Sequence, residues 1–233
     1  MLKSKAAKFK IGGIFHHDII DMISTVYWSN AVQSFTHIPF KEYWRPSDDA
    51  PPECLYGEVF SSQAMLDADN DLCKSCPESS RDSLKAFIVP LLLYSHLMHL
   101  ANFGNASSWP VYLFFGNQSK YIQAMPSSFS CHHATYIPKV HDTTSLFWLY
   151  NLLMLSQLLD NIQDSYKEHY QMTTTAATLM HCKQELMHAI LSLVLNEKFI
   201  YVYWDGFNLE CSDGHCHRLF PCIIMYSADY PEK

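Results

Sequence analysis

The chain is short of charge and of glycine. Charged residues make up 17% of its 233 residues, against roughly 25% in an average soluble protein, and there are only 7 Gly and 11 Pro. Together with the 48% of hydrophobic residues, this composition excludes an intrinsically disordered chain and a collagen-like repeat. The length suits one domain, or one domain with an appendage.

A basic surface is also missing from the sequence. The sequence has 16 Lys and Arg and 23 Asp and Glu, which gives a formal net charge of −7. No basic stripe typical of a free-standing nucleic-acid binder is visible. The sequence also lacks a phosphate-binding loop, a G-x-S-x-G elbow and an H-E-x-x-H motif. Composition and short motifs therefore assign no function.

No apolar run is long enough for a membrane span. The most hydrophobic stretch, 146–159, contains Asn151, Ser156 and Gln157 and is shorter than the roughly 20 residues that a spanning helix needs. We therefore expect no membrane contact. Residues 1–10 carry four Lys without a following apolar run, so we expect no secretory signal. Eight scattered Cys favour reduced thiols inside a cell.

Apolar periodicity predicts a mixed α/β fold with a sheet of about four strands. Helices are predicted at 18–35, 62–72 (with Ser61 as N-cap) and 174–195, and strands at 86–94, 109–115, 130–137 and 219–226. Prolines predict an irregular connector between the first two helices. The first strand is expected to be covered on both sides, although Pro90 counts against it because proline cannot donate to a central ladder. We divide the chain into a helical N-terminal region, 1–80, and a core, 81–233.

One acidic residue stands where α/β sheets often bind ligands. Asp229 directly follows the last predicted strand, a position at which open α/β sheets commonly place ligand and metal sites. The alternative is a turn or helix N-cap, because Pro231 follows two residues later and proline is favoured at the start of a helix.

Cysteine and histidine clusters raise the alternative of a zinc site. Thiolates beside imidazoles are the usual zinc ligands, and the candidates are Cys73, Cys76, Cys211, Cys216 and His217. Their irregular spacing favours ordinary thiols, so zinc is not expected. His132 and His133 are adjacent on a predicted strand, where neighbouring side chains point to opposite faces, so one ion would rarely bind both.

Five longer segments, ordered along 35–233, carry a family resemblance. They are YWRPSDDAPPECLYGEVFSSQAMLDAD (43–69), HLANFGNASSWPVYLFFGNQSKYI (99–122), SSFSCHHATYIP (127–138), HCKQELMHAI (181–190) and YSADYPEK (226–233). These segments resemble the Plavaka-type transposases of fungal transposons, a group similar to the wider CACTA transposases.

The resemblance implies a ribonuclease-H-like core that cleaves and joins DNA in the nucleus. In that fold, one Asp lies on the first strand, another follows the fourth strand, and a third acid comes from a later helix. The carboxylates hold two divalent ions, normally Mg²⁺, which activate the nucleophile and stabilise the leaving oxygen.

When the family's first two acid positions are located in this sequence, one holds an acid and the other does not. Asp229 matches the second acid. The first acid belongs to a segment that usually begins Tyr-Ser-Asp, whereas this chain has Tyr-Ser-His at 94–96, so His96 occupies the first-acid position. A neutral imidazole is a poor Mg²⁺ ligand. The chain ends at Lys233, before the segment of the third acid, and we therefore expect an inactive, truncated transposase core that does not bind Mg²⁺ productively.

Three further expectations follow from the resemblance. The stretch 142–159 interrupts the family pattern, and we interpret it as a non-homologous insertion. A truncated sheet would expose apolar surface, so we expect self-association. The resemblance places the DNA-binding region outside this fragment, so we expect weak or absent DNA binding. The alternative hypothesis is a non-enzymatic interaction module, with or without zinc.

Overall fold

A computed structural model describes residues 14–75, 84–96, 98–99, 107–137 and 166–228. Its strands are β1 Glu42–Trp44, β2 Glu53–Leu55, β3 Ala86–Ser95, β4 Met98–His99, β5 Ser107–Phe115, β6 His132–Ile137, β7 Phe207–Glu210 and β8 Cys216–Ala228. Its helices are α1 Ile19–Trp28, α2 Gln63–Ser75, α3 Lys120–Gln123, α4 Ala176–Val194 and α5 Glu197–Asp205, and residues 166–170 are also helical. The α/β class predicted from the sequence is confirmed.

The main sheet is mixed and has β3 at its centre. Its order is β6-β5-β3-β8-β7, in which β3 is parallel to β8 and every other neighbouring pair is antiparallel. β4 keeps the register of β3 against β5, because Ser95 is opposite Val111 and Met98 is opposite Ser108. All four predicted strands are present, and β4 and β7 are additional.

The central strand tolerates Pro90 because its missing N–H falls beyond the end of the neighbouring strand. The carbonyl of Pro90 accepts a hydrogen bond from the N–H of Gly116 at 2.7 Å, one residue past the end of β5. The N and O atoms of a strand residue point to the same side, so the proline nitrogen faces this end rather than the ladder with β8. Proline therefore forgoes only the reciprocal bond to the carbonyl of Gly116, which lies past the end of β5, and β3 is central in spite of Pro90.

Helices cover the two faces of the sheet unequally. On one face, α1, α4 and α5 build the main core against β3 and β5, with fully buried side chains that include Ile23, Val89, Leu91, Leu113 and Ile190. On the other face, α2 forms a smaller cluster through Met65, Leu72 and Ile88, joined by partly buried residues of β8. α1 thus shares the main core with the sheet.

The helix boundaries show which polar side chains end each element. The predicted helix 18–35 breaks at Ser29, whose hydroxyl accepts the N–H of Ala31 and starts a short 3₁₀ helix, Asn30–Ser34. Ser62, and not Ser61 as predicted, caps α2, because its Oγ accepts the N–H of Met65 at 3.3 Å. The predicted irregular connector contains the hairpin of β1 and β2.

No single helix in the described part of the chain is long and apolar enough to cross a membrane. α4 and α5 would meet the requirement only as a pair, and they are bent by 60° relative to each other. The apolar stretch 146–159 and the interpreted insertion 142–159 lie outside the described residues.

Candidate functional site

The carboxyl ends of β3 and β8 lie side by side. In their parallel register, Tyr94 is opposite Ser227 and Ser95 is opposite Ala228. His96 directly follows Ser95 and Asp229 directly follows Ala228. Asp229 itself lies outside the described residues. The two residues that precede the predicted site positions are therefore direct neighbours across the ladder.

A hydrogen bond joins the two strand ends. The Oγ atom of Ser95 lies 2.8 Å from the hydroxyl of Tyr226, and Ser95 is fully buried. A register shift makes this contact reachable, since Leu91 is opposite Ile223 but Leu92 is opposite Met225, which leaves one extra residue in β8. Because side chains alternate along a strand, the extra residue moves Tyr226 onto the face of Ser95.

The opposite face at this end of the sheet carries a row of five rings. Ring centroids lie 6.1 Å apart for His96 and Tyr94, and 6.2 Å apart for Tyr94 and Tyr112. The row continues at 4.9 Å from Tyr112 to His133 and at 5.5 Å from His133 to Tyr136. The Nδ1 atom of His133 and the hydroxyl of Tyr136 are 2.8 Å apart. The rings come from three neighbouring strands.

The adjacent histidines of β6 do face opposite ways. His132 packs its ring edge-to-face against Phe115 at 5.4 Å, and burial lowers the pKa of its imidazole. His133 is exposed and belongs to the ring row. The two imidazoles therefore do not share one site.

The described residues of this edge do not fit a magnesium pair. The last residues of β3 and β8, together with His96, offer hydroxyl oxygens and an imidazole but no carboxylate. Mg²⁺ requires hard, preferably anionic oxygen ligands. Across the part of the chain that the structure describes, no group of three or more His, Cys, Asp or Glu side chains is arranged to hold a metal ion.

Among the described residues, the cysteines considered for zinc belong to no group of three or more potential metal ligands. Cys73 is exposed near the end of α2, and Cys76 lies outside the described residues. Cys211 is buried and its Sγ donates to the carbonyl of Leu209, while Cys216 is exposed. Burial raises the pKa of the Cys211 thiol to about 11.

A cavity of about 360 Å³ lies at the opposite end of β3 and β8. Phe87 stands in its wall between two histidine contacts, with its ring centroid 4.7 Å from that of His37 and 5.0 Å from that of His217. His217 is 8% exposed, and its Nε2 lies 2.8 Å from a carboxylate oxygen of Asp213. The Nδ1 atoms of both histidines are buried without a hydrogen-bond partner. His37 stands alone in an irregular segment, so no motif in the sequence points to it.

Comparison with known families decides the origin of the chain. The model of the Plavaka transposase family matches residues 4–233. The chain belongs to the Plavaka transposase family. The match covers essentially the whole chain and confirms the resemblance found in the sequence. No curated protein and no solved structure is significantly similar to the chain.

Membership in the Plavaka family implies a transposase-like function. It also implies that DNA is the partner and that the family acts in the nucleus.

Proposed function

We propose that this Plavaka family member is a ribonuclease-H-like transposase core whose metal site is disabled at its first position. The strand order supports the proposal. Three antiparallel strands, β6, β5 and β3, are followed by β8, which is parallel to β3. In this interpretation β3 is the first strand of the fold and β8 is the fourth.

The pairing of Ser95 with Ala228 is the observation that carries the proposal. The next residues along each strand are His96 and Asp229, and these are the positions that match the family's first and second acids. Two carboxylates at such positions would share the charge of a dinuclear metal centre. With His96 in place of an acid, one carboxylate ligand is lost and an imidazole takes its position.

The chemistry expected of an intact core is metal-dependent cleavage and joining of phosphodiesters, in which two Mg²⁺ ions activate the nucleophile and stabilise the leaving oxygen. In this chain, His96 can accept or donate one hydrogen bond but cannot bridge two cations. We therefore expect no cleavage by the wild-type protein.

Nicking of supercoiled plasmid DNA in the presence of Mg²⁺ tests this expectation. Purified wild-type protein should produce no more open circular DNA than a buffer control. Robust nicking that is abolished by Asp229→Ala would overturn the proposal of inactivity. Nicking that survives Asp229→Ala would instead indicate a contaminating nuclease.

DNA and a second copy of the chain are the partners that we propose. DNA contact should be weak, because the chain carries a net charge of −7. Self-association is favoured by aromatic side chains exposed on α5, where Tyr201 is 67% and Trp204 is 73% exposed. Sedimentation velocity should show species heavier than the 26.9 kDa monomer, and a purely monomeric sample would contradict self-association.

A further inference from the structure

The row of aromatic rings on the sheet is set by strand pairing and does not depend on the proposed metal positions. Tyr94 is opposite Tyr112 in the ladder, and Tyr112 is opposite His133, so three rings stand on one line across the strands. The fourth ring, that of Tyr136, joins the row because of a β-bulge. Val111 is opposite Thr135 and Tyr112 is opposite His133, so Ala134 is an extra residue in β6.

This bulge directs two side chains of β6 to the same face. His133 and Tyr136 are three residues apart, a spacing that would place them on opposite faces of a regular strand. With Ala134 bulged and both Ala134 and Thr135 buried, His133 and Tyr136 point outward together.

Among the described elements, α2 covers only the other half of this sheet face. Its side chains Met65 and Leu72 pack against Ile88, near the start of β3. Towards the end of β3 the face is formed by the ring row, in which His133 is exposed, Tyr136 is 40% exposed, and Tyr94 and Tyr112 are half-buried. Among the described residues, aromatic rings therefore form this half of the sheet face.

We propose that Tyr94, Tyr112, His133 and Tyr136 form a stacking platform for the unpaired bases of single-stranded DNA. We refer to these four residues as the ring platform. Aromatic rings displayed on a sheet stack nucleobases without strong sequence preference, because every base has a π-face. The hydroxyl of Tyr112 already donates to Sδ of Met98, and the hydroxyl of Tyr136 pairs with Nδ1 of His133, so the proposed binding comes from the rings rather than from these polar groups.

The position of the ring platform favours DNA bases over other occupants. The row ends at His96, the residue at the candidate metal edge. A DNA strand opened beside a cleavage point presents unpaired bases within reach of such a row. The choice of DNA bases as the occupant rests on the proposed function, whereas the arrangement of the rings does not.

The charge around the ring platform predicts an unusual salt dependence. β3, β5 and β6 contain no Asp, Glu, Lys or Arg. Phosphates are therefore neither repelled nor strongly attracted by these strands, and binding should come from stacking. Because few counterions would be released, the affinity should change much less with salt than that of a protein that neutralises phosphates.

Fluorescence anisotropy with a labelled single strand and with its duplex tests the platform. The assay contains EDTA, so that it is independent of any metal chemistry at His96. Wild-type protein should bind the single strand about tenfold more tightly than the duplex. Tyr112→Leu and Tyr136→Leu should each lose about tenfold in affinity. Tyr112→Phe and Tyr136→Phe keep the rings and should bind as the wild type does.

Tyr56→Leu is the matched control, because Tyr56 is 90% exposed and lies outside the ring platform; its affinity should be unchanged. Circular dichroism melting establishes that each variant is folded, and the more exposed Tyr136 provides the decisive comparison if Tyr112→Leu unfolds. Equal binding of single strand and duplex, no binding at all, or equal affinities of the Leu and Phe variants would overturn the platform. None of these outcomes affects the Mg²⁺ experiments on His96.

Discussion

The hydroxyl of Tyr226 lies 2.8 Å from Oγ of Ser95, and this contact links the ends of β3 and β8 one residue before His96. It spans the parallel pair at the centre of the sheet, between residues that are 131 positions apart in the sequence. The candidate metal edge is thus held by a side-chain contact in addition to the backbone ladder.

Removing this hydrogen bond should destabilise the fold modestly. Ser95→Ala and Tyr226→Phe should each lower the free energy of unfolding by about 1 kcal/mol, the typical net value of such a bond. Urea denaturation measures the change. The double variant should lose less than the sum of the single losses, because both substitutions remove the same interaction.

Ser192→Ala is a suitable control for that comparison. The hydroxyl of Ser192 bonds to its own helix at an exposed position, and exposed substitutions usually change stability by less than about 0.5 kcal/mol. Strictly additive losses in the Ser95 and Tyr226 variants would mean that the two hydroxyls do not stabilise the fold through each other.

Acid should destabilise the protein through His37. Burial, followed by the nearby His217, lowers the pKa of His37 below its ordinary value of 6.5, with Asp213 acting in the opposite direction. As the pH falls below about 6.5, the unfolded state binds a proton that the folded state does not. The free energy of unfolding therefore decreases until the pH reaches the lower pKa of the folded protein. His132 adds a contribution of the same sign.

Two neutral variants separate this titration from packing. His37→Phe keeps a ring against Phe87, and His37→Gln removes the ring. Neither variant can be protonated in this range. Chemical denaturation measured from pH 8 to pH 5 should show a shallower loss of stability in both variants than in the wild type. An unchanged pH dependence in both variants would exclude His37 as a source of acid sensitivity.

The regular elements of this fold were predictable because burial leaves a periodic pattern. The apolar runs of β3 and β8 and the helical spacing of α4 predicted the bounds of these elements to within three residues. The start of α1 was also predicted, but the helix ends at Trp28, seven residues before the predicted end. The hairpin of β7 and β8 was missed because β7 is short, although Asp213-Gly214 in its turn is a typical hairpin sequence. Pro90 counted against a central strand in the sequence, but the ladder between β3 and β5 ends beside it.

The side-chain arrangements at the site depend on bulges that a single sequence does not reveal. One extra residue in β8 moves Tyr226 to the face of Ser95, and the bulge at Ala134 brings His133 and Tyr136 together. A shift of one residue exchanges the two faces of a strand. The ring platform could therefore not be predicted from alternation. The assignment of His96 and Asp229 to the acid positions comes from the family pattern and stays a prediction.

The most direct test of the central claim is calorimetric titration of Mg²⁺ into the wild type, His96→Asp and His96→Asn. Asn has the shape of Asp without its charge, so it separates charge from size. If His96 and Asp229 occupy two positions of one metal site, the wild type and His96→Asn should show no saturable binding. His96→Asp should gain at least about tenfold in affinity, and added Asp229→Ala should abolish the gain. Stoichiometric binding of two Mg²⁺ ions by the wild type, or equal behaviour of the Asp and Asn variants, would contradict the claim.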